Sequence, residues 1–122
     1  MLFRSQGMTV RGYLDKVKCP TLLVTGEFDP LCPLEDAVEA FGDLKVPKEM
    51  WVIENQYHPL WGLPNFGGMD CHDYVMDWLK LLFSGKRVPK KAGRISYIKE
   101  NGDGPWGDCA WTPPVKKGQA YF

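Results

Sequence analysis

Three features of the sequence predict an α/β fold built on parallel strands. Two continuous apolar runs, Thr21-Leu22-Leu23-Val24-Thr25 and Met50-Trp51-Val52-Ile53-Glu54, lack the polar alternation of a half-exposed strand and suit strands covered on both faces. Between them lies a stretch of helical period, with Leu34, Ala37, Val38 and Phe41 on one side. A second such stretch follows the second run. Strand, helix and strand in that order form a βαβ unit, whose strands run parallel and whose crossover is almost always right-handed.

The elements follow in chain order. Residues 1–19 form a lead-in in which Met8, Val10, Tyr13, Leu14 and Val17 permit a brief helix that ends before Pro20. The first strand, 21–25, is stopped by Gly26. The first main helix starts at Pro33, which suits a first helical position, and Glu35 and Asp36 suit the positive end of its dipole. The second strand occupies 50–54. Asp70 is placed to cap a longer helix whose apolar stripe is Cys71, Tyr74, Val75, Trp78, Leu79, Leu82 and Phe83. Ser84-Gly85 and then Pro89 end it. Beyond Gly85 the composition changes, with Lys86, Arg87, Lys90, Lys91 and Arg94 clustered before Arg94-Ile95-Ser96-Tyr97-Ile98, a candidate short strand. The expected organisation is a βαβα segment over residues 1–85 and an irregular, aromatic-rich tail over 86–122.

The 122 residues suit one domain. Fifteen Lys and Arg balance fifteen Asp and Glu, so no global basic field attracts nucleic acid or anionic lipid, and neither partner is expected. No apolar run approaches the ~20 residues that span a bilayer. The first residues, MLFRSQGMTV, lack the apolar core of a secretory signal. Cys19, Cys32, Cys71 and Cys109 are widely spaced, with no C-x-x-C, which reads as reduced thiols in a cytoplasmic protein; a disulfide or a zinc site is the alternative.

The chemistry is expected in the loops that leave the strands. Gly26-Glu27-Phe28-Asp29-Pro30 follows the first and Asn55-Gln56-Tyr57-His58 the second. Neighbouring parallel strands lie ~4.8 Å apart, and both loops leave the carboxyl edge, where open α/β sheets place their sites. Asp29 and His58 are thereby delivered to one edge. A carboxylate accepting from a ring N–H fixes the imidazole tautomer and supports the imidazolium formed when the ring takes a proton from a nucleophile. The plainer readings are a turn aspartate before Pro30 and a loop histidine bonded to backbone before Pro59. Glu27 and Asp36 are the other candidate acids, a loop carboxylate and a helix-start charge. His72, in the first turn of the long helix, is the other candidate base.

The stretch Lys18-Cys19-Pro20-Thr21-Leu22-Leu23-Val24-Thr25-Gly26-Glu27-Phe28-Asp29-Pro30-Leu31-Cys32-Pro33 resembles the penultimate strand and acid loop of the α/β-hydrolase superfamily. The strand 50–54 and His58 resemble that family's last strand and histidine, and the separation of 29 positions from Asp29 to His58 is similar. The resemblance covers residues 12–84. The Glu-x-Asp loop and the helix after His58 resemble the pseudooxynicotine-hydrolase/FrsA-like branch. The resemblance implies the C-terminal portion of an α/β-hydrolase fold, two parallel strands with flanking helices, with Asp29 as triad acid and His58 as general base.

The family's nucleophile, a serine in a G-x-S-x-G elbow with an oxyanion hole beside it, has no counterpart here. Ser5 has no strand before it, Ser84 ends a helix and Ser96 lies in the tail. Two parallel strands also leave an apolar edge unpaired. The expectation is therefore a fragment, a processed chain or half of a split gene, inactive alone, that associates with an N-terminal half or with itself. The implied activity is hydrolysis of ester-like, amide-like or activated C–C bonds in a small-molecule acyl substrate, with a covalent intermediate and no cofactor or metal. A non-catalytic remnant and an acyltransferase are the alternatives.

Four other features carry competing readings. Asp70, Cys71, His72 and Asp73 are adjacent on a helix and so point to different faces, against a metal cluster. The Asn101-to-Asp108 turn lacks the residue order of a calcium loop. The basic stretch 86–94 reads as a solvated linker, the alternative being a phosphate or nucleic-acid patch. Trp61, Trp106, Trp111, Tyr97, Tyr121 and Phe122 read as anchors for the tail or as an interface, and Trp61 and Phe66 as walls of an acyl or aromatic pocket.

Overall fold

The structure is a computed structural model that describes residue 10, residues 12–58, residue 60 and residues 69–114. Its centre is a parallel sheet of β1 (Thr21–Gly26), β2 (Lys48–Ile53) and β3 (Arg94–Ile98), in that spatial order. Helix α1 (Leu34–Asp43) connects β1 to β2, and helix α2 (Cys71–Phe83) lies between β2 and β3 in the chain. In the lead-in, a single 3₁₀ turn over Leu14–Lys16 stands in place of the expected helix. Gly12, at φ +79°, breaks the chain before that turn, and Pro20 stops it after. Met8, part of the expected helix, lies outside the described residues.

Strand β2 is the spine. All six of its residues are buried, and their alternation sends side chains into two separate cores. Trp51 and Ile53 meet Cys71, Tyr74 and Trp78 of α2 on one face; Met50 and Val52 meet Leu34, Ala37 and Phe41 of α1 on the other. The unbroken apolar run thus finds cover on both sides.

The strand also starts two residues earlier than its apolar run, because two polar side chains are satisfied locally. Lys48 Nζ donates to the carbonyls of Phe41 (2.6 Å) and Leu44 (2.9 Å), and so caps the end of a helix that has no basic residue in its own last turn. Burial pulls the Lys48 ammonium below its ordinary pKa, Lys45 adds to that, and Asp43 opposes it. Glu49 accepts from Arg87 Nε at 3.4 Å.

The segment after Gly85 is more than an irregular tail. It contributes β3, which pairs in parallel register with β2 from Glu49↔Arg94 to Ile53↔Ile98. The chain then folds back along the outer edge of β3. Tyr97 N–H donates to Cys109 O and Trp111 N–H to Ile95 O, both at 2.8 Å, and Ser96 forms an antiparallel bridge with Ala110. This return covers one edge of the sheet, whereas β1 pairs on one side only among the described residues. Trp106 lies edge-on to Trp51, with ring centroids 5.7 Å apart, on the α2 face. Trp111 sits 4.8 Å from the Tyr97 ring on the α1 face. Of the aromatics read as anchors, Trp61, Tyr121 and Phe122 lie outside the described residues.

The returning strand makes a stability contribution that can be measured. Trp111→Ala is expected to lower the unfolding free energy by about 2–3 kcal/mol, less than for a fully buried tryptophan because the ring is partly exposed. Urea titration checks this, and a change under 0.5 kcal/mol would mean that the return does not hold the β3 edge.

Candidate active site

Two loops meet at the carboxyl edge of the sheet because two adjacent parallel strands end there. Their approach is close: a Cβ on Gly26 would stand 2.5 Å from the carbonyl oxygens of both Gln56 and Tyr57. Only glycine leaves room for the second loop to cross at that position. Phe28 N–H donates to Gln56 O at 3.0 Å, and Glu27 N–H donates to Ile53 O at 3.0 Å, joining the loops through backbone.

Asp29 and His58 are brought together by this crossing. Asp29 Oδ2 lies 3.0 Å from His58 Nδ1. The other oxygen, Oδ1, accepts from the backbone N–H groups of Leu31 (2.8 Å) and Cys32 (3.2 Å), a side-chain-capped turn of the kind that an aspartate before proline favours. Asp29 is 3% exposed. Burial alone would raise its carboxyl pKa; the donors from Leu31, His58 and Cys32 outweigh it and hold the pKa below the ordinary 3.8. An ionised Asp29 accepts only, so Nδ1 carries the hydrogen, and in the neutral ring Nε2 is then the nitrogen with the lone pair. The His58 side chain is half exposed, and Nε2 has no hydrogen-bond partner among the described residues.

Glu27 has a role that sequence reasoning did not find. It is buried, and both of its carboxylate oxygens are taken. Oε1 accepts from Asn55 N–H at 3.2 Å, and Oε2 accepts from the Tyr97 hydroxyl at 2.8 Å. Asn55 adopts a left-handed conformation, φ 56°, at the turn into the histidine loop. One carboxylate therefore ties the acid loop, the histidine loop and β3 together. The signal was the Glu-x-Asp spacing, but Tyr97 lies 70 positions away and nothing in the sequence pairs them.

Beside the dyad is a cleft of about 290 Å³ lined by Val24, Thr25, Cys32, Leu60, Cys71 and Val75 together with Asp29 and His58. Its walls are mostly apolar. Neither thiol lies within hydrogen-bond reach of His58, and both are held in the protonated form. Burial raises the Cys71 pKa to about 11, with Asp70 adding to it; burial and then the charges of Asp29 and Asp36 raise that of Cys32. Ser84 donates to Leu81 O at the end of α2, and Ser96 is buried within β3; neither lines the cleft. Ser5, Trp61 and Phe66 lie outside the described residues. Asp36 and His72 are exposed on helix first turns and do not line the cleft. Asp70 caps α2 by accepting from His72 N–H at 2.8 Å. Cys71 points inward and His72 outward, and no cluster of three metal-ligating side chains occurs among the described residues.

Two measurements test this geometry. Because the Asp29 pKa is depressed on folding, its ionised form stabilises the protein above pH 3.8, and that contribution is lost as the pH falls through the folded-state value. Wild-type stability should therefore drop more steeply below pH 4 than that of Asp29→Asn; parallel pH profiles would deny the contact. Gly26→Ala should cost about 2 kcal/mol or more in urea unfolding. It should also broaden or remove the downfield NMR resonance of the His58 Nδ1–H, since the histidine loop must retreat; a preserved resonance at wild-type stability would contradict the close crossing.

Comparison with protein-family models, with curated proteins and with solved structures returned no match.

Proposed function

We propose that this chain supplies the acid and base of a Ser-Asp-His-type triad in an α/β-hydrolase acting on ester-like, amide-like or activated C–C bonds. The observation that carries the reading is the 3.0 Å contact between a buried, ionised Asp29 and the Nδ1 of a half-exposed His58. In that arrangement Nε2 accepts the proton of an attacking hydroxyl, and Asp29 stabilises the imidazolium that results. The same ring then returns the proton to the leaving group, and water repeats the cycle on the acyl intermediate. The apolar cleft beside the dyad suits the acyl portion of the substrate.

The nucleophile and its oxyanion donors come, in this reading, from an N-terminal half of the hydrolase. The single-sided pairing of β1, with Leu22, Leu23 and Val24 only partly buried, supports a neighbouring strand there. The same edge supports the second reading, a non-catalytic remnant that associates with itself or with a partner half. An acyltransferase would use the same dyad, with a bound alcohol or thiol replacing water.

The test is labelling of the natural full-length polypeptide or assembly with a fluorophosphonate. A stoichiometric adduct on a serine is expected, with the labelling rate reduced by about 10²–10⁴-fold in His58→Ala. A folded assembly that takes no label, or one labelled equally well without His58, would sink the hydrolase reading.

A further inference from the structure

The chain is neutral overall, but its charge is not evenly spread. Residues 78–99 hold seven of the fifteen Lys and Arg residues and no Asp or Glu. The side chains of Lys86, Lys90 and Lys91 are exposed, as in a solvated linker, but the backbone of the segment is tied down. Lys86 and Arg87 N–H groups donate to Leu81 O at the end of α2, Lys90 O accepts from Lys48 N–H and Gly93 N–H, and Pro89 is buried. One end of the loop is clipped to the last turn of α2 and the other to the start of β2, at the amino edge of the sheet.

That fold-back encloses a cleft of about 580 Å³ lined by Lys86, Arg87, Lys90 and Arg94, with Glu49 the one carboxylate. Glu49 and Arg94 are register partners at the start of β2 and β3. Glu49 is occupied by Arg87 Nε at 3.4 Å, and the Arg87 guanidinium is steadied by lying 4.9 Å over the Trp106 ring. Arg94 Nη2 donates to Gly107 O at 3.4 Å, but its Nε is shielded from solvent and has no acceptor. Arg94 lines the cleft, so the accessible part of its guanidinium, and not the enclosed Nε, is what an oxyanion would meet there.

We propose that this cleft is an anion site that takes a phosphate group, separate from the Asp29–His58 dyad. Four cations against one carboxylate leave an excess of positive charge in a concave site, and guanidinium groups match the tetrahedral oxygens of phosphate. The cleft lies at the amino ends of the strands and the dyad beyond their carboxyl ends, about 15 Å away at ~3.3 Å per strand residue. A phosphate bound here therefore acts as an effector or as a structural ion. It is not a reactant at the dyad, so the proposal does not depend on the hydrolase reading.

The experiment is NMR titration of the full chain with inorganic phosphate at constant ionic strength, with chloride as the matched control. Saturable shifts are expected at the amides of Glu49, Lys90, Gly93 and Arg94, with Asp29 and His58 unmoved. Arg94→Gln should weaken binding by about tenfold or more, as expected for loss of a charge-assisted hydrogen bond. Lys90→Gln, at an exposed position that the fold does not need, should weaken it several-fold. Glycerol 3-phosphate added in place of phosphate identifies the source: equal or tighter binding supports the phosphoryl group of a larger molecule, and binding of inorganic phosphate alone supports the free ion. Linear, non-saturating shifts, shifts reproduced by chloride, or full affinity retained in a folded Lys90→Gln variant would overturn the proposal.

Discussion

A carboxylate withdrawn from water must recover its hydrogen bonds from the protein, and at the carboxyl edge of this sheet two carboxylates do so. Asp29 recovers them from two backbone amides of its own turn and from His58; Glu27 recovers them from the Asn55 amide and the Tyr97 hydroxyl. Neither could stay buried with all of these hydrogen bonds if the histidine loop moved away. The requirement to satisfy them holds the two loops in one arrangement, and the absence of a side chain on Gly26 allows the approach. The orientation of the imidazole follows: one ring nitrogen is committed to Asp29, and the other has no partner among the described residues.

The third strand and its returning partner belong to the same arrangement. Tyr97 reaches Glu27 from β3, its backbone pairs with Cys109, and its ring lies against Trp111. The segment after Gly85 thus continues the sheet on one side and supports the candidate site on the other. It also builds the cationic cleft at the opposite edge, where the clipped loop brings Arg87 beside Glu49 and Trp106. Parallel strands make this division possible, because all carboxyl ends lie at one edge and all amino ends at the other. No helix among the described residues is long and apolar enough to cross a membrane.

Much of the sheet and both main helices were legible in the chain. Leu22, Leu23, Val24, Met50, Trp51, Val52 and Ile53 form runs that call for cover on two faces, and the spacings of Leu34, Ala37 and Phe41 and of Cys71, Tyr74 and Trp78 identify the helices that supply it. The start of β2 was not legible, because Lys48 and Glu49 look solvated until the end of α1 and Arg87 are seen to receive them. The pairing of 109–111 with β3 was also hidden, since a strand held by so few residues has no periodicity to read. The meeting of Asp29 with His58 was predictable because each follows a strand end and the two strands are neighbours.

The sequence alone determined the order of strands and helices, the buried faces and the pair of loops that bear an acid and a base, because these depend on local period, on turn residues and on the geometry of adjacent strands. Tertiary structure decided the third strand's place, the clamp by Glu27 and the enclosure of the basic segment. Each of those depends on contacts between residues tens of positions apart, such as Glu27 with Tyr97 and Glu49 with Arg87, and contacts at that range leave no pattern in the neighbouring residues.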